Sequence, residues 1–210
     1  MIQPADIINF ALIILILFTS ITLHEYSHGF VASKFGDPTP KSSGRLSLNP
    51  LKHIDIFGTV ILPVLLIVLS RGGFSFGYAK PVPINPYHFR NPKRDILWVG
   101  LAGPAVNFII ALLLVAVLKI SNYLFIPEIL IEGILINFIL AIFNLIPIPP
   151  LDGSRVLSAL LPYKISYLYL KMETLGSFII ILLIMAGFVR WFMFPVVTFI
   201  FSLLNIKAAI

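Results

Sequence analysis

The chain has 210 residues, 59% of them hydrophobic and 11% charged, with a mean hydropathy of +1.01 and a formal net charge of +6. A soluble domain carries about 25% charged residues, so this composition excludes a water-soluble core and points to an integral membrane protein. With no cysteine the chain cannot use disulfides, iron–sulfur clusters or a thiol nucleophile, and its basic excess fits cytoplasmic loops under the positive-inside rule, with no nucleic-acid partner expected.

The apolar residues fall in separate runs of helix length, not in the alternating strands of a membrane barrel. The expected fold is therefore all-α, a polytopic transmembrane helical bundle in one domain over residues 1–210. The first run covers residues 7–32. It lacks a basic leader and a small-residue cleavage site, and reads as a mature spanning helix, not a signal peptide. Such a helix is about 39 Å long against a hydrocarbon core of about 30 Å, so its second half reaches one membrane face. A polar stretch with Lys34, Lys41, Arg45 and Lys52 follows. Residues 56–70 are apolar but short and contain Pro63. The next 25 residues carry Arg71, Lys80, Arg90, Lys93 and Arg94, and within them "FSFGYAKPV" has the composition of a strand that its prolines would confine to a sheet edge. Residues 96–119 open with "GLAGPAVNF", where Gly100 and Gly103 suit close helix packing. Residues 129–146 end in "NLIPIPPLDG", and two further apolar runs cover 173–189 and 191–206.

One stretch breaks the apolar pattern of the first run. "LHEYSHG" (Leu23–Gly29) puts two histidines and a glutamate where lipid depth tolerates few polar groups. It fits H-E-x-x-H. Residues four apart share a helix face, so His24 and His28 can hold one ion, and neutral imidazole suits zinc. Glu25 lies one step round the helix, placed to take a proton from water beside the metal, which is the arrangement of amide hydrolysis. A catalytic zinc site normally has three protein ligands. The candidates for the third are His53, His88, Asp55, Asp95, Glu128, Glu132, Asp152 and Glu173. Asp152 stands out because it follows a proline-rich break at the end of an apolar helix, where non-helical backbone is tolerated only if buried or lining a cavity. The residues alone leave Asp152 open between metal ligand and N-cap of the following "GSRVLSALL". Asn107 reads as a hydrogen bond between helices, with an approach to the metal region as the alternative.

Together, HEYSH, "AGPAVN" (Ala102–Asn107) and "NLIPIPPLDG" (Asn144–Gly153) resemble the site-two protease family of intramembrane zinc metalloproteases, in its compact branch without PDZ or CBS domains. The resemblance covers residues 5–165; the C-terminal helices, over 173–206, are only generically apolar. It implies one zinc ion per chain held by His24, His28 and Asp152, with Glu25 as general base and Asn144 supporting substrate or oxyanion. It also implies cleavage of a single-pass membrane-protein helix near the cytoplasmic face. A metal-binding transporter and a non-catalytic membrane module are the alternatives. The sequence shows neither repeated halves nor a lost base in their favour.

Topology gives an independent constraint. If residues 56–70 crossed the membrane, the loop with five basic residues would lie outside and Asp152 could not reach His24. A re-entrant 56–70 removes both conflicts. The expected arrangement is an external N-terminus, five crossings, a cytoplasmic-side metal site in the cell membrane, and a short β-hairpin near residues 74–82. The edge of that hairpin is a candidate for pairing with an unwound substrate.

Overall fold

The computed structural model describes residues 4–69, 77–120 and 127–206. Every regular element among those residues is helical. Helix α1 (Pro4–Lys34) has 31 residues, which at 1.5 Å each is about 46 Å. Two of its hydroxyls bond back within the helix: Thr19 and Thr22 donate to the Leu15 and Phe18 carbonyls, both at 2.7 Å. A short turn, α2 (Thr39–Ser42), follows. A π-helical turn over Ile56–Ile61 runs into α3 (Leu62–Leu69). Then come α4 (Pro92–Ile120), α5 (Pro127–Asn144), α6 (Asp152–Leu160), α7 (Tyr163–Leu170), α8 (Glu173–Met185) and α9 (Phe194–Leu203).

Helices α1, α4 and α5 pack on one another, α6 docks on α4, and α9 on α5. The core between α4, α5 and α9 is Ala111, Val115, Ile134, Phe138, Val197 and Phe201. A second buried cluster, Ala32, Phe89 and Val99, closes the end of the bundle where α1 meets the start of α4. By length and composition the helices spanning Ile7–Lys34 and Pro92–Ile120 can each cross a membrane, and a third span results if α7 and α8, bent by 59° at their junction, count as one. The α8 end expected at residue 189 comes earlier: Gly187, at φ +85°, takes the left-handed backbone that stops a helix.

The expected β-hairpin is corrected. Among the described residues there is no strand; residues 74–76 of the stretch lie outside them. Residues 77–85 have no regular secondary structure, and their partners come from the chain just ahead of α3. The Tyr78 amide donates to Gly58 O at 3.0 Å and the Lys80 amide to His53 O at 2.9 Å. Arg45 donates to the carbonyls of Lys80 and Pro81. Pro81 and Pro83 have no N–H to give, so a regular ladder cannot extend along this segment.

Candidate metal centre

Three buried side chains from two parts of the chain converge. His24 and His28 lie one turn apart on α1, and their Nε2 atoms are 3.1 Å from each other. Asp152 brings its Oδ2 to 3.0 Å from His24 Nε2 and 3.1 Å from His28 Nε2. All three are at most 7% exposed. This triangle is the one group of metal-ligating side chains among the described residues.

The donor set fits zinc. Zinc bonds of about 2.0–2.1 Å in a tetrahedron space ligand atoms by roughly 3.3 Å, so the triangle needs to spread by only a few tenths of an ångström. Both ring Nδ1 atoms are already committed: His24 Nδ1 to Asn107 Oδ1 at 2.5 Å and His28 Nδ1 to Val99 O at 2.6 Å. Those acceptors require the proton on Nδ1, which leaves each Nε2 lone pair free for the ion. Three protein ligands leave a fourth position for water or substrate, the pattern of a catalytic site.

Asp152 is the first residue of α6, with Leu151 at the N-cap position and no side-chain cap bond. Its Oδ2 faces the histidines, and its Oδ1 accepts from Arg155 Nη1 at 3.2 Å. Gly153 permits the tight break before α6: a Cβ there would lie 2.2 Å from the Leu145 carbonyl oxygen.

Helix α4 forms the wall over the triangle. A Cβ on Gly103 would sit 2.4 Å from His28 Nε2 and 2.5 Å from His24 Nε2, so only glycine lets α4 approach so near. Pro104, one residue on, removes the helix bond to the Gly100 carbonyl and its ring crowds that turn. The adjacent Val99 carbonyl is the one that accepts from His28. Asn107 makes the hydrogen bond between helices expected of it, to Asn137 Oδ1 at 2.9 Å, and it is also the residue that holds His24. It lies four residues after Gly103, on the same helix face, and that spacing was the available signal.

Glu25 is partly exposed beside the triangle, and its Oε2 accepts from the Val82 amide at 2.9 Å. The segment mistaken for a hairpin therefore orients the carboxylate next to the ligands. Asn144 is the last residue of α5, and its Nδ2 donates to Leu140 O at 2.9 Å. The other candidate ligands serve elsewhere. His53 bonds Ser47 O at 2.8 Å, Asp55 caps the turn at Gly58 N at 2.7 Å, and Asp95 accepts from Asn91 N at 2.8 Å. His88 pairs with Asp37 at 3.1 Å. Glu128, Glu132 and Glu173 are not part of the triangle.

The profile of peptidase family M50 matches residues 12–129 and 126–187. The chain belongs to this family. Its relatives include three proteins named as zinc metalloproteases. YwhC of Bacillus subtilis is 34% identical over 192 residues, which cover 85% of this chain and 84% of the relative. Rip2 of Mycolicibacterium smegmatis is 33% identical over 197 residues, 91% of this chain and 74% of the relative. MJ0392 of Methanocaldococcus jannaschii is 30% identical over 166 residues, 77% of this chain and 38% of the relative. No solved structure matches the chain. As an M50 member the protein is a zinc metalloprotease, a hydrolase of the site-two protease type, and His24, His28 and Asp152 lie close together as its possible zinc site.

Proposed function

We propose that this metalloprotease is an intramembrane endopeptidase that cuts a transmembrane segment of a single-pass membrane protein near the cytoplasmic face. The observation that carries the reading is where the ligands stand. Two of them sit inside α1, a helix long and apolar enough to cross a bilayer, and α4, the other such helix, closes over them.

The chain's course supports the same geometry. Residues 56–69 form 14 residues of helix, about 21 Å and short of a core of about 30 Å. Tyr78 lies back against Gly58, with its amide 3.0 Å from the Gly58 carbonyl, and Thr59 Oγ1 donates to Tyr78 O at 2.9 Å. The return of residue 78 to the side of residue 58 supports a re-entrant course. In this topology α1, α4 and α5 cross, the N-terminus is external, and Lys34, Lys41, Arg45, Arg155 and Lys164 are cytoplasmic, as the positive-inside rule requires. The two remaining crossings of a five-crossing scheme would be α8 and α9, with 13 and 10 residues. Helices that short cross only where the bilayer thins.

When bound, zinc makes water nucleophilic near neutral pH and polarises the scissile carbonyl. Glu25 removes the proton from the attacking water and returns it to the leaving amine. The Val82 amide holds that carboxylate in place. Asn144 Nδ2 has a second proton besides the one given to Leu140 O, and it serves as a donor to the substrate carbonyl.

The test is purified protein in lipid nanodiscs, zinc-loaded, with a panel of single-pass helices and a soluble unstructured peptide, the products mapped by mass spectrometry. The proposal requires a cut within a hydrophobic segment, absent with Glu25→Gln. Hydrolysis of the soluble peptide alone would sink the intramembrane reading while leaving the metalloprotease intact.

A further inference from the structure

The bundle buries two asparagines completely, Asn107 on α4 and Asn137 on α5, and Ser20 on α1 is 3% exposed. They are joined in one line. Asn137 Nδ2 lies 2.9 Å from Gly133 O and 2.9 Å from Ser20 Oγ. Asn107 Nδ2 lies 2.9 Å from Asn137 Oδ1, and Asn107 Oδ1 lies 2.5 Å from His24 Nδ1. The two ends of a carboxamide have nearly the same shape, and its surroundings decide which end is oxygen. Here one group decides for the whole line. The Gly133 carbonyl can only accept, so the end of Asn137 that faces it must be the NH2. Its oxygen then faces Asn107, which must present its own NH2 in return. Asn107 is left with its oxygen toward His24, and that oxygen demands the proton on Nδ1. The Nε2 lone pair is thereby aimed at the metal.

We propose that Asn137 is a positioning residue for the zinc centre: through Asn107 it fixes the ring state of His24, a ligand it never touches. The inference rests on the zinc centre described above and is independent of what the enzyme cleaves. Without Asn137, the Asn107 amide has only the Ser20 carbonyl, at 3.5 Å, to hold its NH2. It can then turn that NH2 toward His24, where Nδ1 becomes an acceptor and the ring proton moves to Nε2, the position the metal needs. Removing a partner that orients a ligand typically weakens metal binding about 10–100-fold; one residue further out, the expected loss is about tenfold.

The experiment uses the full chain in detergent, zinc-loaded and labelled with nitrogen-15 histidine, of which there are four. Two signals matter: the Nδ1 proton of His24, and that of His28, whose acceptor is the Val99 carbonyl. Zinc affinity is measured alongside by competition with a chelating dye. The unaltered protein is expected to show both protons downfield and slow to exchange with solvent. Asn137→Leu, which fills the same space with an apolar group, is expected to shift the His24 proton upfield and raise the zinc Kd about tenfold. The His28 proton should stay where it is. Asn137→Ala, which cannot clash, carries the same expectation should the leucine not fit. An unchanged His24 proton and zinc Kd in either folded variant overturns the proposal. So does equal disturbance of His24 and His28, which marks Asn137 as a packing residue. Absence of a hydrogen-bonded His24 Nδ1 proton in the unaltered zinc-loaded protein overturns it without any variant.

Discussion

Gly103→Ala tests the site more directly than changing a ligand, because it alters no ligand and no charge. The new Cβ would stand 2.4 Å from His28 Nε2, 2.5 Å from His24 Nε2 and 2.6 Å from His24 Cε1. Carbon and nitrogen at rest keep about 3.5 Å, so close to 1 Å of overlap has to be relieved. Helix α4 has little room to withdraw. On its Gly100 side even a Cβ would be 3.1 Å from the Asp152 carbonyl and from Arg155 Cβ, so the helix is already tight against α6. The rings must therefore turn, and the triangle opens from 3.1 Å to about 4 Å, past the roughly 3.3 Å that tetrahedral zinc spans. The expected result is zinc binding weakened at least 100-fold, about 2.7 kcal/mol. Overpacking adds a loss of stability of about 1–3 kcal/mol. The assay is dye competition for zinc beside denaturant unfolding of the metal-free protein in detergent. Stoichiometric zinc at parental affinity in a folded Gly103→Ala protein would refute the closeness of α4 to the two Nε2 atoms.

Asp152→Asn should fold and lose its zinc on dialysis against metal-free buffer, as measured by metal content; full retention would place the third ligand elsewhere. Glu25→Gln should keep zinc and lower the rate of peptide hydrolysis about 10²–10⁴-fold, which separates the base from the ligands in a single protein. Gly153→Ala should fail to reach a stable fold, with a loss above about 4 kcal/mol, because its Cβ would strike the backbone oxygens of Leu145 at 2.2 Å and Ile146 at 2.6 Å. Size-exclusion and thermal unfolding read that outcome. Buried Asp37 would titrate higher on burial alone, yet bonds from Thr39, Asn85 and His88 hold its carboxyl below the ordinary value of 3.8. Its folded pKa is therefore below the unfolded one, so its contribution is complete at neutral pH and is lost as pH falls below about 3.8 toward the folded value. The stability gap between parent and Asp37→Ala should be constant above about pH 5 and close in acid; a gap that widened in acid would reverse the assigned sign.

The histidine half of the triangle was legible because its geometry is local: His24 and His28 share a face by helix period alone. The residues left Asp152 open between ligand and N-cap, since three prolines announce a break but not where the carboxylate after it points, and only the family resemblance linked it to the histidines it lies beside. What was not legible came from groups that carry no side-chain signature. The Val99 carbonyl that holds His28 is backbone, and only Pro104 hinted that the helix bonds there are disturbed. The failed hairpin has a similar cause. "FSFGYAKPV" has the aromatic content of a strand, but its partners are His53 O and Gly58 O, which lie before a helix and not in a neighbouring strand. Strand composition describes a half-buried extended surface, and residues 77–85 have that without a ladder.

Asn107 shows why a bundle interior constrains orientation as well as position. In water an asparagine on a helix has two equivalent ways to lie, since solvent completes whichever end is left over. At 0% exposure no solvent is present, and each end must meet its chemical opposite. Asn137 meets a carbonyl and a hydroxyl at one end and Asn107 at the other, and Asn107 meets a histidine. A buried polar residue in an apolar bundle is usually counted as a cost offset by a hydrogen bond. Here the same scarcity of partners removes the alternative state, so a carbonyl on α5 determines which nitrogen of a ring on α1 is free to take the metal.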